Sequence, residues 1–353
     1  MSTARYSLRQ LFADLELEPP TFVLAAQPPS DDPWYMRIFA GIGAWFAALM
    51  FLTFLGITSI ITNEFGALVV GLGLCAAALG INRRNQPSTF LRQLALAISI
   101  TGQLLAISGW TEIVDSLIVA ALGVIVLEIA LFVAHRDFTQ RLISTLAVIT
   151  AIHVIAADLS NWVESFNYMY LLLSVMIISF ALLMWSEPKI HEDQLWSSAS
   201  PIAYGILLFM GISSLLINFS WDEFVGRGSF FILPAIVAII CLGTTIWMIV
   251  NEFEYKLGLI QLGCIGLGLL FITFVGINTP AIIIALLIIL LSYWRGYPVM
   301  FGFGCLALIG ALSLYYYNLN ILLLYKSIIL FGTGMILLVI RALVLKLNQK
   351  EAV

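Results

Sequence analysis

A few ionisable and amide side chains set inside long apolar runs are the residues whose types could carry chemistry. Glu128 stands in the apolar run 116–134, about two turns from its C-terminal end. A charge at the centre of a bilayer costs about 2.5–3.5 kcal/mol on insertion scales, so such a carboxyl is a candidate for relaying protons or binding a cation. The alternative is a carboxyl kept neutral or paired inside a helical bundle. His153 lies well inside the run 141–159, with Asp158 near its far end. On consecutive antiparallel helices Glu128 and His153 differ by about 10 Å in depth, too far to act as a dyad. A lone His among apolar neighbours fits a hydrogen-bonded structural role. Lys326, a turn or two inside the last run, can extend its stem to the interface or pair with an acid there. Arg341 can do the same at the opposite end. Gln103, in Thr101-Gly102-Gln103, is suited to hydrogen bonding between helices.

No familiar catalytic or binding motif surrounds these residues. Gly-x-Gly pairs at 41/43, 71/73, 266/268, 302/304 and 332/334 lie within apolar runs, not between a strand and a helix as a phosphate loop requires. They fit close helix packing through small residues. His135-Arg136-Asp137 matches the start of a kinase catalytic loop, but Leu142 stands where the Asn is needed, and the tripeptide falls in a membrane turn. GxSxG, HExxH and Walker patterns are missing. Cys75, Cys241, Cys264 and Cys305 all fall in apolar runs without CxxC spacing and fit small buried hydrophobes. No cofactor and no metal is implied.

Composition decides what must position these groups. Hydrophobic residues make up 61% of the 353 and charged residues 10%, against about 25% charge in an ordinary soluble domain. No water-soluble fold hides that much apolar surface. The net charge of −4 comes with singly scattered Lys and Arg, which excludes a basic face for nucleic acid. The first apolar run begins near Ile38 after a polar stretch and has no small-residue cleavage site, so the sequence predicts no signal peptide.

A bilayer core of about 30 Å needs about 20 apolar residues in helical form, and lipid offers no partner for unpaired backbone groups. Twelve runs qualify: 39–61, 65–81, 91–109, 116–134, 141–159, 168–185, 199–217, 230–250, 257–275, 279–294, 298–315 and 320–344. The expectation is an all-α, polytopic transmembrane bundle of about twelve spans built from helical hairpins. Its parts are a cytoplasmic segment 1–35, a transmembrane domain 36–345 and a short cytoplasmic tail 346–353. Arg5, Arg9, Arg37, Arg83, Arg84, Arg92, Arg136, Arg141, Lys189, Lys256, Arg295, Arg341, Lys346 and Lys350 all fall on one side of that count, with only Arg227 in an opposite loop and Lys326 in the last run near that opposite side. Basic residues are retained on the cytoplasmic side, so both termini are placed there.

Within the N-terminal segment Ser7 and Gln10 fit a capping box, and Leu8, Leu11, Phe12 and Leu15 take helical spacing, which predicts a short amphipathic helix lying on the headgroups or docking a partner. A linker from Thr21 to Asp32 follows, then the interfacial anchors Pro33-Trp34-Tyr35-Met36-Arg37. Arg83, Arg136 and Lys189 recur every 53 residues, and Trp110, Trp162 and Trp221 each sit near an acid, as repeated hairpins would have it. A loop from Ser186 to Ala199 divides the spans six plus six. The stretch Gly80-Ile81-Asn82-Arg83-Arg84 lacks the Asp of major-facilitator transporters.

Near the C-terminus the residues become recognisable: Tyr315-Tyr316-Tyr317-Asn318-Leu319, Leu322-Leu323-Leu324-Tyr325-Lys326-Ser327, Gly332, Gly334 and Arg341. Together with Pro33-Trp34-Tyr35, Gly41 to Phe46 and Thr101-Gly102-Gln103-Leu104-Leu105, this resembles an uncharacterised bacterial membrane-protein family. That family is a domain of unknown function, often encoded beside a protein with a GDYxxLxY motif. The resemblance covers residues 33 to 344 and implies a bacterial inner-membrane location and a neighbouring-gene partner, but no reaction. It marks Tyr316, Lys326 and Gln103 as positions to test. The function expected is that of a non-enzymatic component of a membrane complex, with the lipid bilayer and the GDYxxLxY protein as partners. A small-solute or ion transporter using Glu128 is the alternative, and a membrane-embedded lipid-modifying enzyme the third reading.

Overall fold

Polar residues mark the helix ends and apolar runs fill what lies between them. The computed structural model describes residues 63–83, 89–160, 167–193, 195–218, 230–253, 258–276 and 279–318, with scattered positions in 39–54 and 327–338. Ten helices run through the continuous stretches: α1 (Glu64–Asn82), α2 (Thr89–Ile113), α3 (Leu117–Ala134), α4 (Phe138–Leu159), α5 (Asn167–Glu192), α6 (Trp196–Asn218), α7 (Leu233–Glu252), α8 (Leu259–Gly276), α9 (Pro280–Arg295) and α10 (Pro298–Asn318). They coincide with the expected runs from 65–81 to 298–315. Most of the expected first and last spans, the amphipathic segment, the linker, Trp162 and Trp221 lie outside the described residues.

Local chemistry fixes the ends. The side chains of Asn63, Ser116 and Asp137 cap α1, α3 and α4 by accepting from backbone N–H groups in the first turn, which satisfies donors that a helix start leaves unpaired. Pro234 and Pro280 begin α7 and α9, where a missing N–H costs nothing. Gly296 ends α9 with φ 75°, a left-handed conformation that suits glycine. Eight of these helices are long and apolar enough to cross a membrane. Side chains such as Val126, Val133 and Leu267, about 70% exposed, have no soluble environment that would tolerate them in such numbers. This is an all-helical, multi-pass membrane protein.

The chain forms two units, residues 1–109 and 110–353. In the first, α1 buries Ala67, Gly71, Cys75 and Ala78. A Cβ on Gly71 would stand 2.7 Å from Gly102 O, and one on Gly102 2.9 Å from Cys75 N. Backbones meet there because neither helix has bulk at the contact. Gly73, Gly266, Gly268 and Gly302 face open space, whereas Gly304 lies against Ile288 and Ile289. Close packing thus uses one member of the 71/73 and 302/304 pairs and neither of 266/268.

In the second unit α6 and α9 are central. α6 touches α4, α5, α9 and α10, and α9 touches α5, α6, α7, α8 and α10. The core between them holds Leu173, Ile177 and Phe180 of α5, Leu207 and Met210 of α6, and Ile283, Leu287 and Leu291 of α9. At the edge, α3 packs on α4, and Trp110 Nε1 donates to Ala120 O at 3.2 Å. Trp110 therefore has a packing role, seated over Gly123.

The expected loop from Ser186 to Ala199 is not one. α5 continues through Pro188 to Glu192, and α6 resumes at Trp196. Proline removes the donor for the carbonyl four residues before it and ordinarily ends or kinks a helix. Here the released carbonyl, Met184 O, accepts instead from Arg295 Nε at 3.0 Å.

Candidate functional site

Three residues, His135 to Asp137, join α3 to α4, and that turn sets the register of the hairpin. Glu128 lies seven residues before it and Ser144 seven after it, so both stand at one depth, about 10 Å from the turn. Glu128 is fully buried and Ser144 is 1% exposed. A cavity of about 280 Å³ opens between α3, α4 and α6, lined by Glu128, Ser144 and Thr145 and by apolar side chains including Phe132, Ile149 and Ile206. Ile129, also in its wall, is 52% exposed and marks its rim.

Both carboxyl oxygens of Glu128 lack a hydrogen-bond partner, as does the Ser144 hydroxyl. Ser144 faces Glu128 across the helix pair, in a geometry short of a hydrogen bond. Thr145 is already committed, donating to Arg141 O at 2.8 Å. One turn nearer the hairpin, Gln140 is 1% exposed, and its amide nitrogen and oxygen have no partner. Buried polar groups left unpaired are costly and uncommon, so four such side-chain atoms at one helix pair, beside Ser144 Oγ, call for an explanation. Glu128, Gln140 and Ser144 together supply those five atoms.

Arg141 fixes the hairpin from outside the cavity. Its Nε donates to Phe132 O at 3.2 Å and His135 O at 2.8 Å, its Nη1 donates to Ser198 Oγ at 2.9 Å, and its guanidinium lies 5.1 Å from the Phe132 ring centre. A cation over the last carbonyls of α3 is favourable at that end of a helix. His135-Arg136-Asp137 is indeed a turn, with Asp137 accepting from Thr139 and Gln140 N–H groups.

A second polar group gathers at the α9–α10 turn. Arg295 donates to Met184 O and, at 3.3 Å, to Trp185 O, while its guanidinium stacks 3.6 Å from the Trp294 ring centre. Tyr297 donates to Glu187 Oε1 at 2.8 Å. Burial, reinforced by the Glu187 carboxylate, pushes the Tyr297 phenol well above its ordinary range. Trp196 packs between the Tyr297 and His191 rings. These contacts lock helix ends together.

The other expected positions lie apart. His153 Nδ1 bonds Ile149 O at 2.9 Å, and its ring packs 4.6 Å from Phe209. It stands nine residues beyond Ser144, about 13 Å further along α4. Gln103 is buried, but its Nε2 donates to Ser99 Oγ at 3.1 Å within its own helix. The expected bond between helices is therefore replaced by one that was available a turn away. Tyr316 is 38% exposed near the end of α10. Lys326 and Arg341 lie outside the described residues. Cys75 and Cys241 are buried and unlinked, and Cys305 is half-buried. Among the described residues no group of three His, Cys, Asp or Glu could hold a metal ion.

Ser144 and Gln140 were not singled out from sequence. Equal distance from the turn and their spacing of four would have placed both opposite α3. The α6 wall could not have been found so, because α6 is not a sequence neighbour of α3.

The family model for a domain of unknown function, DUF4401, matches residues 33–347. The chain belongs to the DUF4401 family. The match runs through both units and every described helix. No curated protein and no solved structure matches the chain. DUF4401 membership therefore carries the resemblance seen in Thr101 to Leu105 and Tyr315 to Ser327, and assigns no chemistry to Glu128.

Proposed function

We propose that this chain is a non-enzymatic component of a membrane complex in the bacterial inner membrane, with about twelve spans and both termini in the cytoplasm. The observation that carries this reading is the brevity of four of the connections between described helices. Three residues, 114–116, join α2 to α3, three join α3 to α4 and α5 to α6, and two join α9 to α10. Sites for water-soluble substrates need loops or domains on which to array side chains, and these turns are spent on capping and helix-to-helix bonds. The working surface is then the bundle itself, and the partner proposed for it is a neighbouring-gene protein of the GDYxxLxY type, which the resemblance implies is often encoded beside the family. Expressing the chain alone and with that neighbour, then comparing yield and co-purification in mild detergent, tests the reading. A complex predicts higher yield and joint elution; identical behaviour in the two cases would count against it.

One observation favours a second reading, transport of a small solute. Glu128 is buried, unpaired and beside a cavity, and an intramembrane carboxyl is a common part of solute pathways. The nearly complete apolar wall does not suit a hydrated ion, so the solute on this reading is lipophilic. Uptake into proteoliposomes that is unchanged by Glu128→Gln would remove its support.

A further inference from the structure

We propose that the cavity between α3, α4 and α6 is a binding site for a lipophilic organic ammonium, whose cationic head pairs with Glu128 and whose apolar body fills the space beneath it. This goes beyond both readings above, since occupancy of the cavity requires neither a partner nor transport. Three observations carry it. The Glu128 carboxyl is fully buried, lines the cavity and has no hydrogen-bond partner on either oxygen. Ser144, at the same depth, adds a free hydroxyl. The remaining wall, including Phe132, Ile149 and Ile206, is apolar.

Each feature selects against another class of ligand. Hard metal cations take six or more oxygens, whereas Glu128 and Ser144 offer three, and Thr145 is already bonded to Arg141. An anion would face the carboxyl. A neutral hydrocarbon would fill the space and leave three polar atoms unsatisfied, which is unfavourable in an apolar site. An ammonium N–H donor satisfies the carboxylate and supplies the opposite charge that makes a buried carboxylate tolerable. A cavity of about 150 Å³ holds benzene, so 280 Å³ accommodates a body of about ten carbons. The half-exposed Ile129 at the rim gives such a molecule access from the side of the bundle.

The test is calorimetric titration of the purified full-length protein in mild non-ionic detergent, with 4-phenylbutylamine and its neutral isostere 4-phenylbutanol each also titrated into protein-free micelles. The expected result is saturable binding of the amine, at least tenfold tighter than the alcohol. Glu128→Gln should abolish that preference by bringing the amine down to the affinity of the alcohol, and Val148→Trp, which fills the cavity, should abolish binding of both. Equal affinities for amine and alcohol, amine heats no different from micelles alone, or a preference that survives Glu128→Gln would overturn the proposal. Where Glu128→Gln does not yield folded protein, Val148→Trp decides, because undiminished amine binding with the cavity filled places the ligand elsewhere and overturns it equally.

Discussion

Arg295 donates through Nε to the carbonyl oxygen of Met184 at 3.0 Å, and Met184 is the residue whose helical donor Pro188 lacks. A bond between residues 111 positions apart thus repairs a gap made by one local residue and lets α5 run on to Glu192. Near the other arginine the pattern repeats more weakly. Pro201 lies inside α6, and Ser197 O, four residues before it, lies 3.5 Å from Arg141 Nη1. In each case a cation at the helix-end layer meets a carbonyl that proline has released.

Arg295→Met should therefore lower thermal stability in detergent, by about 1.5–3 kcal/mol for loss of a charged hydrogen bond to a group left unsatisfied. Pro188→Ala restores the N–H that Met184 O needs, so Arg295→Met should cost less in that background. A double-mutant cycle by thermal unfolding measures the difference, expected at about 1 kcal/mol. Strict additivity would mean that Arg295 acts through its bond to Trp185 O and its stacking on Trp294, not through Met184 O.

Tyr297 makes alkaline stability a readout of the same layer. The ordinary phenol loses its proton near pH 10, and burial with Glu187 beside it raises the folded value above that. The unfolded chain then releases this proton at lower pH than the folded one, so the contribution is whole below about pH 10 and is lost as pH rises toward the folded value. Tyr297→Phe should cost about 1 kcal/mol at neutral pH, a modest figure because the pair is only half-buried. It should also flatten the alkaline fall in melting temperature between pH 9 and 11, conditions chosen to bracket about pH 10. An unchanged alkaline profile would mean the phenol does not titrate with unfolding.

The ten described helices were legible because bilayer thickness dictates helix length and leaves few ways to place an apolar run. The loop expected from Ser186 to Ala199 failed for a physical reason: the apolar run ends there, but the helix runs on through Pro188 because a donor on α9, Arg295, takes up the carbonyl that the proline releases. Glu128 was legible as a carboxyl inside an apolar run, and Ser144 could have been placed by counting from the turn. Its apolar companions on α6 could not, since helix adjacency in a bundle is set by packing and leaves no mark in sequence spacing. Gln103 shows the reverse case, with its partner Ser99 four residues away on the same face.

Gly71 and Gly73 separate packing from mere composition. A side chain at 71 would strike the α2 backbone at Gly102 O, 2.7 Å from an ideal Cβ, while at 73 nothing lies within 4 Å. Gly71→Leu should therefore destabilise the α1–α2 pair by about 3 kcal/mol, at the upper end for overpacking where backbone must move. Gly73→Ala should be neutral or stabilising by up to about 1 kcal/mol through helix propensity. Thermal unfolding of the two variants in the same detergent checks the contrast, and equal losses would place the α1–α2 contact elsewhere.

The hairpins also fix which turns share a face of the membrane. Arg136 and Asp193 lie in the α3–α4 and α5–α6 turns, whereas Asp115 precedes α3 and Phe230 precedes α7; all four are exposed. Consecutive antiparallel spans put the first two on one side and the last two on the other. On the orientation proposed above, in which Arg and Lys stay inside the cell, the first pair lies in the cytoplasm. In a background with Cys75, Cys241, Cys264 and Cys305 replaced, Asp115→Cys and Phe230→Cys should react with an impermeant maleimide on intact spheroplasts. Arg136→Cys and Asp193→Cys should react only after permeabilisation. Full reversal would invert the orientation while preserving the hairpins; opposite labelling of positions 136 and 193 would mean that α4 and α5 do not both cross, and the alternation on which the twelve-span count depends would fail with it.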